Sequence, residues 1–127
     1  LIEQSGRFAV QIPVQTQAEL VLAMVRSSRN ANPRKMDNVP LFRQAGFDVP
    51  LVAGCAAWLA CRVLPEPHNQ QAYDLFIGEV EAAWADDAVF RDGHWRFDEA
   101  GDDWRTLHYV SGGQFYAIGR GLDLGER

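Results

Sequence analysis

The sequence predicts a mainly β domain, a small antiparallel barrel with one or two helices. Three observations carry that expectation. Residues 51–64 (LVAGCAAWLACRVL) and residues 73–84 are two strand-like segments separated by a polar turn, as the members of an antiparallel pair are. Asp92-Gly93, with Phe90 and Trp95 on either side, is the strongest hairpin signal in the chain. The clearest helix follows Thr16, where Leu20 stands over Met24 and Val21 over Val25 to give one apolar stripe.

Taken in order, residues 1–5 read as the last turn of a helix stopped by Gly6, and a helix end without a beginning implies sequence ahead of Leu1. Residues 7–12 alternate and end at Pro13, as a strand leaving a sheet does. Thr16-Gln17-Ala18-Glu19 fits a capping box opening a helix that runs to about Ser27 and is ended by the stretch from Asn30 to Pro33. Residues 30–50 are polar, with one short helix candidate around 41–45. In 51–64 one face carries Leu51, Ala53, Cys55, Ala57, Leu59, Cys61 and Val63, and the other Gly54, Ala56, Trp58 and Arg62. That pattern suits a barrel wall covered from both sides. Residues 66–71 turn the chain into the antiparallel partner, where Glu79 is the expected mate of Arg62. Residues 98–103 form an acidic loop, and 107–118 return as a last strand interrupted by Gly112-Gly113.

The 127 residues suffice for a single domain, and 47% hydrophobic content with four Trp and seven Phe excludes a disordered chain. The longest apolar stretch, 51–61, is far short of the roughly 20 residues a membrane span needs, and no signal peptide is legible. A net charge of −5 argues against a nucleic-acid surface, although Arg26, Arg29, Arg34 and Lys35 offer a local cluster that an anionic ligand can meet. Cys55 and Cys61 stand six apart on the expected strand, about 20 Å by strand geometry, so they cannot bridge each other. Two such thiols point to core packing, a reducing compartment and no zinc site. The expectation is a cytoplasmic protein without membrane or nucleic-acid partners.

No GxSxG, HExxH or phosphate-loop pattern occurs. A chain rich in aromatic and small residues but poor in acid–base groups suits a protein that lends shape to a redox cofactor. His108, before Tyr109 and four residues ahead of Gly112-Gly113, is the best single candidate for chemistry, against a strand histidine satisfied by a backbone carbonyl. Gly112 and Gly113 let backbone approach a ring or make a bulge. Tyr116 stacks on a cofactor edge or fills the barrel. His68 sits in a polar loop facing solvent or a dimer cleft, and Trp58 and Trp84 suit the core.

The ordered set LVAGCAAWLACRVL, Tyr73-Asp74-Leu75-Phe76-Ile77-Gly78-Glu79-Val80, VFRDGHWRF and LHYVSGGQFYAIG resembles the C-terminal part of the flavin reductase-like proteins. These are FMN-binding split barrels that include flavoredoxin and the flavin-reducing partners of two-component monooxygenases. The resemblance spans most of the chain from Gly6 onward and implies an antiparallel split barrel lacking its N-terminal strands. It further implies FMN, or FAD, as cofactor, NAD(P)H as hydride donor, a monooxygenase or other electron acceptor, and a homodimer. His108 is then the residue beside flavin or nicotinamide, with Gly112, Gly113 and Tyr116 as cofactor contacts and no metal. Relatives hold the FMN phosphate mainly with an N-terminal strand–loop region and a Lys-Asp-Thr-type segment, neither of which is present in these residues. The rival expectation is a non-enzymatic split barrel that has lost that segment and serves assembly or ligand binding.

Overall fold

The computed structural model describes residues 2–26, 34 and 36–125. Its centre is a three-stranded antiparallel sheet in the order β1 (Arg7–Ile12), β4 (Ala57–Leu64), β5 (Ile77–Ala85). Three two-stranded hairpins surround it: β2 (Leu41–Gln44) with β3 (Phe47–Val52), β6 (Phe90–Arg91) with β7 (His94–Trp95), and β8 (Leu107–Ser111) with β9 (Gln114–Ala117). Four short helices complete the described residues, α1 (Ile2–Ser5), α2 (Ala18–Arg26), α3 (Pro67–Tyr73) and α4 (Phe97–Ala100). The mainly β, antiparallel expectation holds. The described strands form no closed barrel, and the helices number four where the sequence suggested one or two.

Several local expectations are met. Gly6 ends α1 at φ +69°, its N–H donating to Ile2 O at 2.9 Å. The strand at 7–12 has the predicted bounds. Asp92 (φ +54°) and Gly93 (φ +76°) turn β6 into β7 and set Phe90 opposite Trp95, the positive φ pair that a type I′ turn requires. Arg62 pairs with Glu79 at 3.3 Å.

Others are corrected. The helix candidate at 41–45 is strand β2, because Phe42 and Gln44 point inward on alternate positions while Gly46 (φ +82°) folds the segment back on β3. Residues 51–64 are not one strand. The chain turns at Ala53-Gly54, where Gly54 takes φ +95°, so β3 ends at Val52 and Cys55 lies outside β4. The turn at 66–71 is helix α3, opened by Pro67 at its first position and closed by Asp74 in the left-handed region. The partner strand therefore begins at Ile77 rather than Tyr73. The cap ahead of α2 lies earlier than Thr16: Gln17 Oε1 accepts from Val14 N–H at 3.0 Å across a 3-10 turn at Gln15–Gln17. The acidic stretch 98–103 is helical for most of its length, and 107–118 is a hairpin rather than an interrupted strand. The expected end of α2 at 30–33 lies outside the described residues.

β4 is paired on both edges and buried over most of its length. Around it, Phe47, Leu51, Cys55, Trp58 and Ala60 form the main core. Trp58 meets Phe42 edge-on at 5.3 Å and donates from Nε1 to Val52 O at 2.9 Å, so its one polar atom is satisfied inside the core. Val14, Ala56 and Val89 form a second cluster against Phe97 and Trp104. Gln11 and Gln17 tie the end of β3 and the turn after it to β1 and to the 3-10 turn ahead of α2, by Oε1 of Gln11 accepting from Val52 N–H at 2.6 Å and Nε2 of Gln17 donating to Ala53 O at 3.1 Å.

The glycine inside the DLFIGEV strand has a steric reason. A Cβ at Gly78 would sit 2.5 Å from Phe8 Cζ and 3.2 Å from Cys61 Cβ, so the absent side chain is what lets the Phe8 ring reach β5. Gly78→Ala is expected to destabilise the fold by about 1–3 kcal/mol through overpacking. Phe8→Leu in the same chain should recover part of that loss, giving a non-additive double-mutant cycle in urea melts. Strict additivity would rule out the steric account.

Candidate functional site

The four residues singled out from the sequence all fall on the β8–β9 hairpin. His108 and Tyr116 are direct cross-strand partners, so their side chains share one face at the spacing of an opposed pair, and both are exposed. Gly112 (φ +60°) and Gly113 (φ +87°) are the hairpin turn itself. Tyr109 Oη accepts from Gly113 N–H at 3.4 Å, and the Tyr109 ring packs on Phe115 at 4.7 Å. The glycine pair thus has a turn-forming role, and the strand break expected there is the reversal of a hairpin.

The structure brings to this hairpin one residue of the positive cluster that the sequence offered to an anionic ligand. The Arg26 guanidinium, at the C-terminal end of α2, lies 3.8 Å from the position a Cβ on Gly113 would take. A cation, a bare backbone turn, an imidazole and an exposed phenol ring therefore lie on or beside one hairpin. That set can meet a flat ligand with an anionic end. Nothing in the spacing of residues 26 and 113 announces this, because it depends on how α2 and the hairpin sit against the core.

The hairpin is anchored at its base. Val14 bridges Thr106, Gln15 N–H donates to Arg105 O at 2.8 Å, and Ile118 N–H donates to Thr106 O at 3.0 Å. Arg105, mostly buried, donates to Asp98 and Asp102 at 2.9 Å each and to Gly119 O at 2.9 Å. Asp98 in turn accepts from Gly121 N–H at 3.0 Å. Three segments, α4, the Arg105 corner and the tail after β9, are held by this one network.

The thiols offer no competing chemistry. Burial pushes both Cys55 and Cys61 above the ordinary thiol value, against weaker lowering by a Gln17 hydrogen bond and by one involving the Val10 backbone respectively. Neither supplies an appreciable thiolate at neutral pH. His68 is exposed on α3 and packs edge-on against Tyr73 at 5.5 Å. No helix among the described residues is long and apolar enough to cross a membrane.

Comparison with known proteins bears on the whole arrangement. Residues 1–115 match the flavin reductase like domain family. A crystal structure of an FMN-binding domain of flavin reductases-like enzyme from Shewanella baltica is 52% identical and superposes with a TM-score of 0.93, covering 98% of this chain and 66% of that one. The uncharacterized protein YddH of Escherichia coli is 36% identical over 98% of this chain and 66% of its own length. Nitrilotriacetate monooxygenase component B from Bacillus cereus shares the fold, with 16% identity and a TM-score of 0.72 over 97% of this chain and 62% of that protein. This chain thus spans just under two thirds of these relatives.

The network at the hairpin base gives a pH expectation. Hydrogen bonding from Arg105, then from the Gly121 backbone, holds the Asp98 carboxyl below its ordinary value of 3.8. A carboxyl lowered on folding stabilises the tail contact fully above the unfolded value, and the contact is lost as pH falls through the still lower folded value. The Gly121 amide resonance should therefore titrate with a midpoint beneath 3.8, and Asp98→Asn should abolish that titration. A midpoint at the unperturbed carboxylate value, about 3.9, would show that the contact does not form in solution.

Proposed function

The chain belongs to the flavin reductase-like domain family, and we propose that the protein is a flavin-dependent oxidoreductase of that type. It binds FMN, takes hydride from NAD(P)H and passes electrons to an acceptor such as a monooxygenase, as a homodimer in the cytoplasm. The observation that carries this reading is the 52% identity, with a TM-score of 0.93, to an FMN-binding domain. The fold likeness to a monooxygenase component B supports an oxygenase as acceptor.

The residues of the β8–β9 hairpin fit such a cofactor. Tyr116 offers an exposed aromatic face, and His108 beside it offers a ring nitrogen for a hydrogen bond. Gly112 meets no atom where its Cβ would be, and Gly113 faces only the Arg26 guanidinium, so the backbone is open to close approach. Arg26 supplies a positive charge for a phosphate or other anionic end. When bound, FMN supplies the hydride-accepting ring. The work left to the chain is binding, orientation and exclusion of water around two stacked rings, from which most of the acceleration would come. His108 holds one ring in register by a hydrogen bond, Tyr116 fixes its plane, and the glycine turn sets the approach distance.

His108→Ala in the complete protein tests the assignment. Loss of a hydrogen bond at a reacting centre is worth on the order of 1–3 kcal/mol, so flavin reduction by NAD(P)H should slow about ten- to a hundredfold with the melting temperature unchanged. Stopped-flow rates measured beside a thermal melt separate the alternatives. An unchanged rate per folded molecule with a shifted melt would reduce His108 to a strand residue.

A further inference from the structure

A second cleft lies at the opposite end of the hairpin from the glycine turn. It has a volume of about 350 Å³ and is bounded by Trp95, Arg96 and Phe97 on one side and Ile118, Gly119 and Gly121 on the other. That volume is at the lower end of the range for small-molecule sites, roughly 300–1,000 Å³. From the turn at Gly113 to Gly119 is six residues, about 20 Å along an extended strand, so the cleft is separate from the turn and from Arg26.

The cleft is built rather than incidental. Its tail side is backbone, held by Arg105 donating to Gly119 O and by Gly121 N–H donating to Asp98. The lack of side chains at Gly119 and Gly121 keeps it open. A Cβ at Gly121 would already stand 3.0 Å from Asp98 Oδ2. The opposite wall is aromatic. Trp95 and Phe97 stack at 5.2 Å with their planes 6° apart, Phe90 supports Trp95 edge-on at 4.8 Å, and Trp95 remains 49% exposed. Arg96 contributes the polar feature. Its Nη1 reaches Glu99 Oε1 at 3.5 Å, but its Nε–H is buried without a hydrogen-bond partner. A buried donor left unpaired costs about 1–3 kcal/mol, a cost that an acceptor on a ligand would remove.

We propose that this cleft binds a flat, uncharged aromatic ring bearing a carbonyl acceptor, with the ring against Trp95 and Phe97 and the carbonyl on Arg96 Nε. Charge decides between the alternatives. Asp98 and Glu99 line the same cleft and disfavour a carboxylate ligand, while a cation has no lone pair to offer Arg96. The site is independent of the flavin reading, since it needs neither His108 nor the glycine turn.

Benzamide is the probe, titrated into the complete protein with amide NMR as the readout. Saturable binding is expected, with the largest shifts at Gly119, Gly121 and the Arg96 side-chain Nε–H. Cyclohexanecarboxamide, which keeps the carbonyl but loses the flat ring, should bind at least tenfold more weakly, and benzoate more weakly than benzamide. Trp95→Phe should retain binding, Trp95→Ala should lose it, and Arg96→Lys, which keeps the charge without the Nε–H, should weaken it about tenfold. Because Trp95 is half-exposed, these variants are expected to fold, which a thermal melt checks. The proposal is overturned by no saturable shift at millimolar benzamide. It is equally overturned by undiminished binding in folded Trp95→Ala, or by benzoate or the saturated amide binding as well as benzamide.

Discussion

The structure depends on a single requirement, that β4 be paired along both edges and covered on both faces. A strand so placed has no water to satisfy its amides, so each must find a partner in β1 or β5. The registers Phe8 with Cys61 and Leu59 with Ala83 show both ladders in place. Covering its faces is the work of the β2–β3 hairpin, whose Phe42 and Phe47 close over Trp58 and Trp84. The turn at Ala53-Gly54 follows from this. Residues 47–52 must leave the line of β4 and fold over it, and Gly54 takes the left-handed conformation that permits the reversal.

At one end of the sheet, Arg7 of β1 and Arg62 of β4 share Glu81 of β5, and Arg62 also reaches Glu79, with contacts from 3.0 to 4.0 Å. These groups are half-exposed, so each pair adds about 0–1 kcal/mol. Arg7 and Arg62 stand directly opposite each other in the β1–β4 register, and Glu81, which reaches both, offsets that like-charge pair. The bulge between Ala60 and Cys61 leaves Glu81 as the extra residue of β5.

What the sequence revealed follows the range of the interactions involved. Gly6, Asp92-Gly93 and the bounds of β1 rest on contacts within a few residues, and local chemistry was enough to read them. Arg62–Glu79 was legible because antiparallel pairing of two recognisable strands brings those positions together. The segment 41–45 was misread because five residues with Phe42 and Gln44 alternating have too short a pattern to separate strand from helix. Helix α3 escaped because it is polar all round and has no apolar stripe to announce it. The site divides in the same way. His108, Gly112, Gly113 and Tyr116 fall on one hairpin because they are close in sequence. Arg26 joins them only through tertiary packing, as does the cleft between residues 95–97 and 118–121.

The two ends of the β8–β9 hairpin are consequently different surfaces. The turn end projects beyond the core, with exposed side chains, two glycines and the Arg26 guanidinium, a setting for a ligand with a charged end. The base is clamped by Arg105, whose three hydrogen bonds join α4 to the tail and leave the aromatic stack of Trp95 and Phe97 facing a backbone wall. A rigid base and an accessible tip on one two-stranded element are what a ring-holding function requires. Orientation has to come from the anchored part, while the contacts that recognise the ligand are carried by a part that solvent can reach. Among the described residues, the Val14–Thr106 bridge and the bonds beside it tie the hairpin base to the segment between β1 and α2. A ligand held at the tip would therefore be positioned through that segment together with the Arg105 network.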